Sequence, residues 1–363
     1  MFLALRDLRR AWRRFSLVGL VVALVAVLAT VLAGLADGLV QQGTSGLRAL
    51  PFDHLAFQPG AQAVFSRSTL KDPALQQWQR QPGVKASPIG VSFVNAAPDG
   101  GGPSIDLALF GVQSDSFLVQ RPDARAALAG RPGLVLADEL RAKGVTVGQR
   151  YRLGGSDVAL PVLGFTFAGS YGHVDIAYTS LATWQSIAYG SGGVGRFSAV
   201  ALDIPSGTDV AAVDKAAGTE TKTKQQAYDG SPGFTAETQT MTLIRAFLLA
   251  ISALIVGAFF TVLAVQRTKQ IGLLKAMGAS SWYVLRDGIA QMALVVLAAT
   301  AVGAGAGAAI VALLDGGTVP VALAPGSVLT TAGLIVLTGI LGSLAAFRRI
   351  TRVEPAVALG VSQ

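Results

Sequence analysis

The chain has no cysteine and only two histidines among its 363 residues. Without cysteine there is no disulfide framework, no thiolate metal site and no cysteine nucleophile. Charge is scarce as well: 14% of the residues are Asp, Glu, Lys or Arg, against 52% hydrophobic, and mean hydropathy is +0.53. A soluble domain of this length needs far more charge to cover its surface, so part of the apolar content faces lipid. Catalytic signatures are missing too. There is no G-x-x-x-x-G-K-[ST] phosphate loop, G-x-S-x-G elbow or H-E-x-x-H helix, and no dense carboxylate–histidine cluster. The chain is therefore not expected to be an enzyme.

What it has is four long apolar runs. A bilayer core of ~30 Å needs roughly 20 apolar residues in helical form, and residues 15–40, 241–265, 282–314 and 328–347 each supply that. Basic residues cluster at their ends: Arg6, Arg9, Arg10, Arg13 and Arg14; Arg267, Lys269, Lys275 and Arg286; Arg348, Arg349 and Arg352. Only Asp7, Asp287 and Glu354 accompany them, so these segments account for the net charge of +8. That is the positive-inside pattern rather than a nucleic-acid groove, and no nucleic-acid partner is expected. It places the N-terminus, residues 266–281 and the tail at 348–363 in the cytoplasm. The loop at 315–327, which has no Lys or Arg, faces outward. A cleavable signal peptide is the rival reading of the first run, but such peptides use only about 7–15 apolar residues. Leu3, Leu5, Leu8 and Trp12 recur at near-helical spacing among the arginines, which suggests that residues 1–14 form an amphipathic helix on the inner leaflet.

Residues 41–240 differ in composition. Charges of both signs, Pro, Gly and Ser mix with short apolar runs, none long enough to span. Strands are expected at 133–137, 158–167 and 198–202, and short helices at 72–80 and 138–143, the latter ended by Gly144. Residues 190–195 read as a flexible glycine-rich loop, and 206–233 as a polar return path to the membrane. The fold class is thus membrane α-helical: four transmembrane helices with a large extracellular α+β domain between the first and second. Gly303-Ala304-Gly305-Ala306-Gly307, inside the third run, lacks the strand-turn-helix context of a nucleotide loop and reads as close helix packing.

Residues 266–281 read QRTKQIGLLKAMGASS, between two spans on the cytoplasmic side. Ile271, Leu274 and Met277 form one apolar stripe, Arg267, Lys269 and Lys275 lie elsewhere on the turn, and Gly278 is a helix stop. On spacing alone a plain interfacial connector is the favoured reading. The wording resembles the coupling helix of FtsX-like, or MacB-type, ABC transporter permeases. Ile271, Gly272, Lys275, Ala276, Gly278, Ala279 and Ser280 match its Ile-Gly-x-x-Lys-Ala-x-Gly-Ala-Ser pattern. Gln270 stands where that family usually has an acid, which removes an ionic contact there. Three further stretches resemble the same family: ALRDLR at 4–9, GLVLADEL at 133–140 with GVTVGQ at 144–149, and RVEPAVAL at 352–359.

The resemblance implies a permease homodimer energised by two copies of a separate ABC ATPase, which holds the ATP-Mg. Arg267, Gln270, Ile271, Gly272, Leu274, Lys275, Met277 and Gly278 are then the ATPase-coupling residues. LAGLADGL at 32–39 and LPFDHLAFQ at 50–58 are similar to the haem (haemin) exporter branch, which implies haem as substrate and a Gram-positive plasma membrane. Similar proteins export glycolipids, and a lipid or drug-like amphiphile is the alternative cargo. Other FtsX-like proteins transport nothing and relay ATPase state to extracellular cell-wall hydrolases. For haem, iron contacts come from His, Met or Tyr and carboxylate contacts from cations. Met241 and Arg245, one turn apart at the mouth of the second run, are the first candidates, and Asp37, Arg48 and His54 follow. His54 or Met241 would touch the iron, and no other metal is expected. The bland readings are that Met241 packs, that Arg245 pairs with Asp37, and that His54 and His173 are ordinary surface residues.

Overall fold

The computed structural model describes residues 12–156, 158–266, 280–317 and 319–350. It divides into two units, one of Met1–Gly38 with Thr238–Gln363 and one of Leu39–Glu237.

Among the described residues the first unit is built from four helices: α1 (Trp12–Ala49), α8 (Phe234–Gln266), α9 (Ser281–Leu314) and α10 (Pro325–Ile350). Each contains a stretch long and apolar enough to cross a membrane: Phe15–Ala49, Phe234–Phe259, Gly288–Leu314 and Pro325–Gly342. On α1, Phe15, Val18, Val22, Ala26 and Ala29 recur every three or four residues. They pack against Val295, Val296 and Ala299 of α9, Val256 of α8 and Ile335 of α10. The opposite face of α1 carries Leu17, Leu20, Leu24 and Leu28, all exposed. A helix apolar on both faces suits a bundle whose outside is lipid rather than water.

Lipid tails are as apolar as leucine, so helix association depends on close backbone approach. The glycines of α9 provide it. A Cβ on Gly303 would lie 2.3 Å from the carbonyl oxygen of Ala23, and one on Gly307 would lie 2.8 Å from Thr30 Cβ. Gly305, on the other side of the helix, meets nothing within 4 Å. The small-residue reading of 303–307 therefore holds for Gly303 and Gly307. A second close crossing joins α8 to α10, where a Cβ on Gly342 would lie 2.6 Å from the carbonyl oxygen of Ala253.

Helix α1 continues nine residues past the expected end of its apolar run. Residues 41–49 look polar, but Leu47 at 0% exposure is anchored in the core of the second unit, so tertiary packing sustains the helix. Thr44 and Arg48 add local support through Thr44 Oγ1 donating to the Val40 carbonyl (2.7 Å) and Arg48 Nε donating to Thr44 Oγ1 (2.9 Å).

The second unit is an α+β domain. Its main strands are β1 (His54–Phe57), β3 (Lys85–Pro98), β4 (Ile105–Val112), β5 (Leu134–Ala137), β6 (Arg150–Leu153), β7 (Ala159–Thr166), β8 (Ser170–Tyr171), β9 (Val174–Ser180), β11 (Ala199–Asp203) and β12 (Glu220–Thr223). They run in the order β12-β1-β11-β3-β4-β9-β5-β7-β6, with β8 on β9, and a β3–β6 pairing closes β3-β4-β9-β5-β7-β6 into a ring. A separate two-stranded piece pairs β2 (Leu70–Lys71) with β10 (Arg196–Phe197). Both faces of the central strands are buried. Ala108 and Phe110, Val135 and Ala137, and Ile176 and Tyr178 face one core; Leu107 and Leu109, Leu134 and Leu136, and Ala177 face another. Helices α2 (Asp72–Gln79), α3 (Pro122–Ala129), α4 (Glu139–Ala142) and α5 (Leu181–Tyr189) join the strands. Trp184 of α5 lies flat on the paired glycines Gly90 and Gly111, where a Cβ would come within 2.3 and 2.4 Å of it.

The expected strands at 133–137, 158–167 and 198–202 correspond to β5, β7 and β11, and the expected helices to α2 and α4. Two loop expectations are corrected. Residues 190–195 begin with a 3₁₀ turn, Gly190–Gly192, and lead into β10. Residues 206–233 are no mere return path: they form α6 (Val210–Ala217), β12 and α7 (Lys224–Ala227). Asp214 organises this stretch, accepting from Thr219 Oγ1 (2.6 Å), Thr221 Oγ1 (2.7 Å) and the Thr221 amide (2.9 Å). Thr223 and Gln226 form a capping box at the start of α7.

Gly303→Val should overpack the α1–α9 crossing and destabilise the bundle by about 1–3 kcal/mol, read as a lower melting temperature of the purified protein. Gly305→Ala should leave that temperature unchanged or raise it; equal losses from both would mean that the crossing does not depend on Gly303.

Candidate functional site

The expected ATPase-coupling residues Arg267, Gln270, Ile271, Gly272, Leu274, Lys275, Met277 and Gly278 lie outside the described residues, as do the leading part of the amphipathic segment and the tail after Ile350. The five candidate cargo residues are described, and they fall in different units. Asp37, Met241 and Arg245 belong to the helical unit, Arg48 and His54 to the α+β unit.

Asp37 sits where α1 meets the link before α10. Gly34 and Gly38, one turn apart, leave room for that link. The Ala322 amide donates to the Gly34 carbonyl (2.9 Å), and a Cβ on Gly38 would lie 2.2 Å from the carbonyl oxygen of Pro320. In this clasp Asp37 Oδ1 accepts from Ser327 Oγ at 3.0 Å, while Oδ2 is buried with no hydrogen-bond partner among the described residues. An acid near a membrane mouth with one oxygen unsatisfied is a functional candidate. Among the described residues no ion pair joins it to Arg245. Met241 and Arg245 lie one turn apart on α8, both partly exposed, among the exposed Leu243, Ile244 and Phe247.

Arg48 is already engaged. Besides its bond to Thr44, its guanidinium carbon stands 4.9 Å from the centre of the Tyr228 ring, a cation–π contact in the last turn of α1. Lys224 completes this end of the helix. Its ammonium donates to the carbonyls of Arg48 (2.8 Å) and Leu50 (2.6 Å) and lies 4.9 Å from the Phe52 ring centre. These carbonyls have no continuing helix to satisfy them, so a cation from the first residue of α7 caps them. Burial first, and then repulsion from Arg48, lowers the Lys224 pKa from its ordinary value. His54, on β1 between β11 and β12, has Nδ1 at 3.0 Å from Asp53 Oδ1. Nδ1 makes no bond of hydrogen-bonding geometry there, and the Asp53 carboxylate accepts from the Ile204 amide.

The second histidine has a partner that sequence spacing could not reveal. Gly172 and His173 form the two-residue turn between β8 and β9 with φ of +59° and +67°, a left-handed pair of the type I′ kind. His173 Nε2 lies 2.9 Å from Glu237 Oε1, in the first turn of α8. The Gly172 amide and Ser231 Oγ both donate to the carbonyl of Gly43 on α1, at 3.0 and 2.7 Å. The end of α1, this turn and the start of α8 are thereby joined in one knot. Among the described residues no group of three or more His, Cys, Asp or Glu side chains could hold a metal ion.

Residues 242–355 match the FtsX-like permease C-terminal family, so an FtsX-like permease domain occupies that stretch, in accord with the resemblance drawn from residues 266–281. Over its full length the chain is 21% identical to a protein of Staphylococcus epidermidis that carries the name of a hemin transport system permease, HrtB, covering 100% of both. A protein of the same name in Staphylococcus haemolyticus is 20% identical over 99% of both. An uncharacterized ABC transporter permease of Mycobacterium tuberculosis is 27% identical, also over 99% of both. Among solved structures, the extracellular domain of the noncanonic ABC-type transporter YknZ from Gram-positive bacteria aligns with a TM-score of 0.34 and 14% identity. It covers 47% of this chain and 98% of that one.

Lys224→Met should remove the cap on α1 and cost about 0.5–1.5 kcal/mol, the net worth of a hydrogen bond whose carbonyl water can still reach. Denaturant titration of the purified protein measures this, and an unshifted midpoint would mean that the Arg48 and Leu50 carbonyls are satisfied in another way.

Proposed function

We propose that this chain is the permease subunit of an ATP-driven exporter, energised by a separate ABC ATPase, and that it expels haem or a similar amphiphile from the membrane. The observation that carries the reading is the FtsX-like permease match over residues 242–355, which contains the coupling segment at 266–281. The four apolar helices give it a membrane setting. The full-length similarity to staphylococcal proteins named as hemin permeases supports the cargo.

In this reading the basic flanks hold both termini and residues 266–281 in the cytoplasm, and the α+β unit lies outside the cell. The stripe of Ile271, Leu274 and Met277 docks on the ATPase, with Gln270 offering a hydrogen bond in place of the family's usual acid. Two permeases pair and bind two ATPases. ATP closes the ATPase pair, the coupling helices move, and the spans press the amphiphile outward from the outer leaflet. For a haem cargo, Arg245 is the first candidate to hold a propionate, since its guanidinium has no ion-pair partner among the described residues. Met241, one turn away, offers a thioether to the iron. Asp37 marks the neighbouring mouth of α1, whereas Arg48 and His54 are drawn into contacts of the α+β unit and are weaker candidates.

Deleting the gene together with that of its ATPase should sensitise cells to haem, measured as a lower growth-inhibiting haem concentration. Unchanged tolerance would remove haem as the cargo while leaving the transporter reading in place. Replacing Ile271 and Met277 together with Asp should abolish permease-stimulated ATP hydrolysis with membrane insertion intact, and normal stimulation in that variant would remove the coupling role of the segment.

A further inference from the structure

The α+β unit contains a cleft with no charged residue in its lining. Its origin is an interruption in the sheet. Ile89 of β3 pairs with Ala199 of β11 and Ala96 with Leu153 of β6; between them, among the described residues, β4 is the only strand paired with β3. A cavity of about 250 Å³ opens at this gap. Successive strand residues point to opposite faces, and an open edge lets both faces contribute. Phe93 comes from one face, and Ser92, with Trp184 behind it, from the other.

The aromatic surfaces of this cleft are held in place by the fold. Phe93 is 48% exposed and lies parallel to the buried Tyr171, with ring centres 5.9 Å apart and 10° between planes. Gly172 permits that stack, because a Cβ there would come within 2.9 Å of the Phe93 ring. The opposite wall, Trp184, is seated on Gly90 and Gly111. A site fixed in this way loses little freedom when a ring enters it.

Three serines of the lining share one state. Ser68 Oγ accepts from the Gln58 amide (2.8 Å), Ser198 Oγ from the Val91 amide (3.2 Å) and Ser92 Oγ from Trp184 Nε1 (3.0 Å). A hydroxyl can donate as well as accept, yet none of these three hydrogens has an acceptor among the described residues. Ser68 and Ser198 are each 2% exposed, so for them an unused donor is costly. The cleft therefore offers flat aromatic faces together with hydroxyl donors, and no charge for an ionic ligand.

We propose that this cleft binds a neutral ring that has an apolar face and carries oxygen acceptors, the chemistry shared by carbonyl-bearing aromatic rings and the C–H faces of sugar rings. Its volume lies below the roughly 300–1,000 Å³ of pockets for drug-sized ligands. It takes one or two rings and is too small for a tetrapyrrole, so it is a separate site from any haem path and does not depend on the cargo reading.

The test uses the full chain in lipid nanodiscs, with empty nanodiscs as reference for partitioning. Menadione and methyl β-glucopyranoside are the probes, followed by saturation-transfer NMR. Because the chain has no cysteine, menadione has no thiol to alkylate. Saturable binding of either probe is expected. It should be abolished by Ser66→Phe at the exposed rim and weakened at least tenfold by Phe93→Ala, with the melting temperature of both variants unchanged. Menadione alone would identify the carbonyl ring as ligand, and the glucoside alone the sugar ring. Failure of both probes to saturate the wild-type protein, or binding that survives both substitutions, would overturn the proposal.

Discussion

Close backbone approach between α1 and α9 is the contact on which the helical unit depends. In lipid the usual drive to bury apolar surface is gone, and packing by small residues replaces it. Gly303 against Ala23, and Gly307 against Val27 and Thr30, bring the two helices within contact of main chain on side chain. Gly342 against Ala253 does the same for α8 and α10. With those crossings in place, the valines and alanines of α1 meet Val295, Val296 and Ala299, and the leucines on its other face are left for lipid. Gly34 and Gly38 carry the same device to the far part of α1, where it makes room for the link to α10 and places Asp37 beside Ser327.

The α+β unit solves a different problem. Its central strands are apolar on both faces, so a single helix layer cannot cover them, and the sheet closes a ring around one core while the other face packs beneath loops and helix ends. The cost of closure is borne by β3, which serves β11 with its first half and β6 with its last residues. The gap between those partners is where the aromatic cleft appears. The ends of α1 and the start of α8 are tied within this unit through Gly43, Ser231, Gly172 and the His173–Glu237 pair.

The long apolar runs, the small-residue crossing in α9 and the strands β5, β7 and β11 were legible because each rests on local periodicity or composition. The extension of α1 through Gln41, Gln42, Gly43 and Thr44 was not, since it depends on Leu47 being buried by residues distant in sequence. The order in residues 206–233 escaped notice for a similar reason: Asp214 gathers Thr219 and Thr221, and β12 needs β1 as its neighbour. Of the candidate cargo residues, the sequence indicated which side chains carry suitable chemistry but not which were occupied. Arg48 is held by Thr44 and Tyr228, and Asp37 by Ser327 instead of Arg245. Glu237 gave no local signal, because its partner lies more than sixty positions away in the chain.

The central claim is that this chain is one half of an ATP-driven machine whose ATPase is a separate subunit. Native mass spectrometry of the complex extracted gently from its own membranes addresses that claim most directly. The account predicts an assembly of two copies of this chain with two copies of an ABC ATPase, which dissociates when the apolar stripe at Ile271, Leu274 and Met277 is made acidic. A chain that is recovered intact but without any ATPase, under conditions that preserve other membrane complexes, would contradict it.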